Sequence, residues 1–236
     1  MNYLAHLLLS GPNPDIQVGG LLGDFVKGPL KGDYPPEIEQ GIHLHRQIDT
    51  LTARLPAMTQ VYNLFDNPWR RYAGVVTDIA SDHLLAQRWP DFHRQPLAVF
   101  CAQFYKHLSS HRHRLPERAR QFCDRAPALG WLESYADPEI METILNRVGR
   151  RFRTPVALQD CWYIVEKNRD QFDRAFEQIM TELSVFAERF LAINSAMDGD
   201  FTGPTPGGRH TSLTYPFNAQ SQHSTSMTKI YNCRDL

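Results

Sequence analysis

The chain lacks most of the motifs that would name an enzyme's chemistry outright. Its four cysteines, Cys101, Cys123, Cys161 and Cys233, form no CxxC pair, which argues against a zinc ribbon or a redox dithiol and for free, packed thiols in a reducing compartment. There is no GxSxG, no P-loop and no GxGxxG, so neither a nucleophile elbow nor a glycine-rich phosphate cradle is at hand. No apolar run approaches the roughly 20 residues of a membrane span. The apolar start "MNYLAHLLLS" lacks a basic leader and a small-residue cleavage site, so it does not read as a signal peptide. Charge of one sign is also missing: 25 Lys and Arg stand against 26 Asp and Glu. Net charge therefore gives no case for nucleic acid or an anionic membrane. A cytoplasmic protein is the expectation.

Period-two alternation is absent as well, and what remains is helical. With 236 residues and 42% hydrophobic content, one domain with a real core is expected. Apolar spacing and breakers predict helices over 2–10, 16–28, from Pro35 and Pro36 to about 54, and over 57–65, 69–89, 96–110, 116–124, 137–149, 155–168 and 170–195. The expected architecture is a single all-α domain over 1–197. Residues 198–236 are rich in Gly, Pro, Ser and Thr and read as a disordered tail. His210 and His223 lie in it without metal-ligand spacing.

Three stretches place polar groups beside an apolar helix face. In "GIHLHRQIDTLT", Leu44, Ile48, Leu51 and Leu55 form one stripe. His45 and Asp49, four apart, share one flank of it, while His43 and Arg46 take the other. His45 and Asp49 can converge on one ion, or simply hydrogen-bond to each other. In "YAGVVTDIASDHLLAQRW", Asp78 and Asp82 lie within about 60° of the apolar face of Val75, Ile79, Ala86 and Trp89, with His83 on a shoulder. Two carboxylates buried there need a cationic partner, an arginine or a divalent metal, or else one takes up a proton. In "VGGLLGDFVKG", Gly19, Gly20 and Gly23 fall within a predicted helix, where each costs up to about 1 kcal/mol relative to Ala. They allow a close approach by a helix or ligand. Asp24 is then a candidate metal ligand and Lys27 a candidate phosphate contact. His6 stands alone among leucines.

Together "MNYLAHL", "GDFVKG", "YPPEIEQGIHLHRQID" and "YAGVVTDIASDHLLAQRW", with the later "NRVGRRFRTP…DCWY", resemble the acyl carrier protein phosphodiesterase family over about residues 1–195. The resemblance implies an all-α fold distantly related to HD-type metal phosphohydrolases. It also implies removal of the 4′-phosphopantetheine arm from holo acyl carrier protein, with Mn²⁺ as the metal and Mg²⁺ or Fe²⁺ as alternatives. It puts His6, Asp24, His45, Asp49, Asp78, Asp82 and His83 at family-type positions. His6, Asp24, His45, Asp78 and Asp82 are the expected metal ligands, and His83, Asp49, Lys27 and Arg46 the expected catalytic groups. One departure is Thr52-Ala53, where the family usually has Thr-Asp.

An acidic carrier protein calls for a basic docking face. Arg147, Arg150, Arg151 and Arg153 form one run without an intervening acid, and Arg112, Arg114, Arg118 and Arg120 form a second. Either run can also be an ordinary solvated surface. Two other readings remain open: an HD-like phosphohydrolase of a nucleotide or other small phosphodiester, and a non-catalytic helical module that binds carrier protein.

Overall fold

The computed structural model describes residues 3–199, and among them every regular element is helical. The main helices are α1 (Tyr3–Leu9), α2 (Pro14–Leu22), α3 (Pro36–Thr52), α4 (Pro56–Tyr62), α5 (Ala73–Gln87), α6 (Trp89–Phe92), α7 (Leu97–Ser110), α8 (Glu117–Arg125), α9 (Met141–Gly149), α10 (Trp162–Lys167) and α11 (Arg169–Gly199). Short 3-10 turns join several of them. No helix among the described residues is long and apolar enough to cross a membrane. Cys101, Cys123 and Cys161 are free and buried. Cys233, His210, His223 and the stretch 200–236 lie outside the described residues.

Three local differences from the expected helices have physical causes. The segment predicted over 16–28 stops at Leu22, because Gly23, Asp24 and Phe25 close into turns whose amides reach back to Gly19, Leu21 and Leu22. The segment predicted over 69–89 opens with a 3-10 turn and ends at Gln87. Pro90 has no amide hydrogen and cannot follow in the same helix, so a new turn, α6, starts at Trp89. The segment predicted over 155–168 becomes helical only after the chain folds back, with Val156 donating to the Gly149 carbonyl at 3.0 Å. In the other direction, α11 runs on through Gly199, two residues past the expected end of the domain at 197. Its buried positions, Phe172, Ala175, Phe176, Ile179, Met180, Leu183 and Ala187, keep the three-to-four spacing of a helix lying along a core.

α2 and α3 cross in close contact. A Cβ on Gly19 would run into the Ile38 carbonyl and come within 2.7 Å of the Gly41 Cα; a Cβ on Gly41 would meet the Ile16 carbonyl and the Gly19 Cα in return. The glycines predicted to admit a neighbour admit α3. α1 is buried almost throughout and touches α2, α5 and α11. Helix N-termini leave amides without intrahelical partners. For α1, Asp82 on α5 supplies the acceptors: Leu4 N–H donates to Oδ2 at 2.8 Å and Ala5 N–H to Oδ1 at 3.1 Å.

Asp82 therefore anchors the start of α1. Asp82→Ala strips acceptors from two buried amides, each worth roughly 1–3 kcal/mol. The expected result is a loss of about 2–5 kcal/mol in chemical denaturation; a variant as stable as wild type would remove the anchoring role.

Candidate metal centre

The α2–α3 crossing and α1 together bring four side chains to one point. His6 comes from α1, Asp24 from the turn after α2, and His45 and Asp49 from one face of α3. His6 Nε2 is 3.2 Å from Asp49 Oδ1. His45 Nε2 is 3.4 Å from Asp49 Oδ2 and 3.8 Å from Asp24 Oδ1. The two imidazoles stack with centroids 3.7 Å apart. His6, His45 and Asp49 each offer a ligand atom within 4.8 Å of the other two. Neighbouring ligands about 2.1 Å from an ion stand roughly 3 Å apart, so a modest contraction would suit a cation.

The surrounding backbone prepares the donors. His45 Nδ1–H donates to the Gly20 carbonyl at 2.7 Å, which leaves Nε2 as the ligand nitrogen, the usual arrangement for a metal-bound histidine. A Cβ on Gly23 would overlap the His45 ring, so glycine there is what lets the ring lie in place. Both His6 ring nitrogens and Asp24 Oδ1 are buried without a hydrogen-bond partner; the 3.2 Å approach of His6 to Asp49 is off the line that a hydrogen bond requires. Orphaned buried acceptors are rare because each costs about 1–3 kcal/mol. The residues present fit a bound divalent cation, which would take the lone pair of one His6 nitrogen and Asp24 Oδ1 together.

The electrostatics agree with that fit. Burial drives the His6 pKa down to about 3, reinforced by His45 and only partly opposed by Asp49, so His6 is neutral with a lone pair available. Burial pulls His45 down too, but its bond to Asp49 and the charges of Asp24 and Asp49 outweigh this and leave it raised. Burial pushes Asp49 up, yet the His45 and His6 rings beside it hold it far below the usual carboxylate range. Burial raises Asp24. Without a cation, a proton on His45 balances Asp49.

A cationic rim borders the cluster. Lys27 is exposed and its pKa is lowered, first by partial burial, against the field of Asp24 and Asp49 and with those of Arg46 and Arg118. An Arg46 terminal nitrogen donates to the Val26 carbonyl at 2.9 Å. The Arg118 guanidinium lies 5.9 Å from the Phe25 ring centroid, and its Nε is buried without a partner. His43 is exposed, as its place on the other flank of α3 predicts.

Other residues singled out in the sequence lie elsewhere. Each oxygen of Asp82 accepts from one α1 amide, and burial lifts its pKa to about 7 against them. Asp78 is half-buried, and its pKa is raised first by burial and then by the charge of Asp49; like Asp24, it is not among the three groups whose ligand atoms lie within 4.8 Å of one another. His83 faces away: its Nδ1 pairs with the Tyr135 carbonyl at 2.7 Å and its ring meets Trp162 edge-on at 5.5 Å. It is buried between α5 and the 3-10 turn over Glu133–Ala136, not in the cluster. Asp49, expected as a catalytic group, stands among the ligand atoms. In the second arginine run, Arg112 is held bidentate by Asp124 at 2.7 and 2.8 Å and Arg120 is paired with Glu117. Arg118 alone in that run turns to the rim. Arg147, Arg150 and Arg153 are exposed and Arg151 half-buried.

Sequence reading missed a second cluster, His107 on α7 and His111 just after it with Asp15 on α2, at 2.6 and 2.9 Å from the carboxylate. The four-residue histidine spacing was its signal. Its three groups hydrogen-bond one another, so nothing there is orphaned.

A model of the acyl carrier protein phosphodiesterase family matches residues 1–183. The acyl carrier protein phosphodiesterases of Salmonella dublin and of Salmonella agona are each 32% identical to the chain over 193 residues, which is 80% of this chain and 98% of theirs. No solved structure matches. The match runs through every element that carries the His/Asp cluster, and the chain belongs to the acyl carrier protein phosphodiesterase family.

Proposed function

We propose that the protein hydrolyses the phosphodiester joining 4′-phosphopantetheine to the serine of holo acyl carrier protein, releasing the apo carrier and 4′-phosphopantetheine. The observation that carries this reading is the position of Lys27, Arg46 and Arg118 around the buried His6–Asp24–His45–Asp49 cluster. Such a site has cations for an anionic phosphate beside donors for a divalent metal. The names of the Salmonella relatives support the substrate.

His6, Asp24, His45 and Asp49 would hold the ion, and their mixed imidazole and carboxylate donors suit Mn²⁺. When bound, it supplies Lewis-acid stabilisation of the phosphoryl oxygens and activation of water at neutral pH. The chain's own groups do the rest. Arg46, fixed by the Val26 carbonyl, and Arg118 hold the non-bridging oxygens. Water bonds to phosphorus, releasing one of its protons to solvent, as the bond to the serine oxygen breaks. Lys27 Nζ, whose pKa is lowered, gives the serine oxygen its proton. Asp82 holds α1 and so positions His6, and His83 stays outside the chemistry. The exposed Arg147, Arg150 and Arg153 offer the docking face for an acidic partner, and no acidic residue of the described chain pairs with them.

The direct test follows the intact mass of holo acyl carrier protein incubated with the enzyme and Mn²⁺. The expected outcome is loss of the whole phosphopantetheine group, abolished by chelator. An unchanged carrier beside turnover of a free nucleotide or small phosphodiester would replace the substrate assignment.

The raised pKa values of His45 and Asp24 set a pH dependence. Ligands bind metal only when deprotonated, and His45 in the metal-free protein keeps its proton to above the ordinary histidine value of 6.5. Mn²⁺ affinity should therefore rise with pH through that region, with proton release on binding. Calorimetry in buffers of different ionisation enthalpy measures it; affinity constant from pH 6 to 8 would count against His45 as a ligand.

Charge reversal at Arg150 and Arg153 should raise KM for the carrier several-fold at low salt and flatten its salt dependence, with metal affinity unchanged. Steady-state kinetics at two ionic strengths read this out, and unaltered kinetics would dismiss the docking face.

A further inference from the structure

Next to the rim lies a cavity of about 170 Å³ between α1, α5, α8, α9 and the segment between α8 and α9. Its lining includes Tyr3, Phe122, Trp131 and Ile144, with Arg147 and Arg151 among them. Its wall is linked to the metal centre by two routes through packed side chains. Tyr3 precedes His6 on α1 by three residues, about 4.5 Å along the helix axis. Aromatic rings form the second route: Phe25, under Arg118, stacks on Tyr3 at 6.3 Å, Tyr3 meets Phe122 at 5.5 Å, and Phe122 meets Trp131 at 6.4 Å.

The cavity wall holds two unanswered donors. Trp131 Nε1 and Arg151 Nε are both buried and have no hydrogen-bond partner. Neither nitrogen can accept, so each requires an acceptor that the described chain does not supply. An occupant must therefore be largely apolar, carry neutral acceptors such as amide carbonyls, and connect to an anionic group at the rim.

Resting on the phosphodiesterase reading above, we propose that this cavity is the subsite for the distal, thiol-bearing half of the substrate's phosphopantetheine arm, with Trp131 Nε1–H and Arg151 Nε–H donating to its amide carbonyls. The phosphate then sits at Lys27, Arg46 and Arg118, and the arm passes over Tyr3 into the space beside Ile144. The cavity makes the enzyme read the arm as well as the carrier protein, and its finite volume sets a limit on the acyl group the thiol can bear.

The test uses free pantetheine, which has neither phosphate nor carrier protein, titrated into the full chain by calorimetry. Saturable binding is expected. Ile144→Trp, which fills the cavity, should weaken it at least tenfold, and Trp131→Phe, which keeps the ring and removes the donor, several-fold. Melting temperature and Mn²⁺ affinity check that each variant is folded. With holo carrier protein as substrate, Ile144→Trp should raise KM, and wild-type KM should climb as the thiol is loaded with longer acyl chains. Absence of pantetheine binding, or equal binding by wild type and both variants, overturns the subsite even if holo carrier protein is cleaved normally. Variant-sensitive pantetheine binding without any cleavage of holo carrier protein would keep the subsite and dismiss the phosphodiesterase reading.

Discussion

The contact between Gly19 and Gly41 is the constraint on which the rest of the site depends. Because neither residue has a Cβ, α2 and α3 approach until each glycine nears the other's backbone. That separation delivers the Gly20 carbonyl to His45 Nδ1, clears the space over Gly23 that the His45 ring occupies, and ends α2 so that Asp24 turns inward. Glycines in a helix cost about 1 kcal/mol each relative to alanine. The cost is offset by the apolar burial along the crossing, where Val18, Leu21, Ile38 and Ile42 are sealed from water. A single backbone contact thus positions three of the four donors.

The fourth donor arrives by different physics. His6 sits on a helix of seven residues, too short to be stable alone and buried on nearly every side. Its exposed-amide problem is solved by Asp82, a carboxylate 77 and 78 residues away in sequence from its partners. Two carboxylates near the centre therefore divide the labour. Asp82 neutralises the start of α1 and keeps His6 in register, while Asp49 keeps its oxygens for the two histidines.

This division also explains which parts were legible in the sequence. Helical periodicity gave nearly every long element, since a 3.6-residue apolar repeat is a local property. The shared flank of His45 and Asp49 was legible for the same reason, as was the close approach at the glycines. What a helical wheel cannot give is the identity of the partner. Asp78, Asp82 and His83 do face the interior of α5, but α5 is buried almost all round, so an inward direction fits a backbone amide, a carbonyl or an ion equally well. Tertiary contacts decided: α1 amides took Asp82 and the Tyr135 carbonyl took His83. Arginine runs hid a similar distinction, because Asp124 and Glu117 neutralise Arg112 and Arg120 whereas Arg118, between them, turns to Phe25. Trp131 carried no sequence signal at all, since an unpaired indole donor is visible only once its surroundings are known.

The charge balance at the rim bears on turnover under the proposed reaction. A phosphodiester carries one negative charge, while the phosphomonoester left on the arm approaches two near neutral pH, with a second pKa near 6. A rim built only of cations would hold that product more tightly than the substrate and slow its release. Asp24 and Asp49 lie within the field of Lys27 and temper that attraction. The lowered pKa of Lys27 works in the same direction: having given its proton to the serine oxygen, the amine is neutral while the more anionic product is still in place. The attraction exerted by Lys27 is thereby stronger before the bond breaks than just after, an asymmetry that favours release of a product that is the better anion.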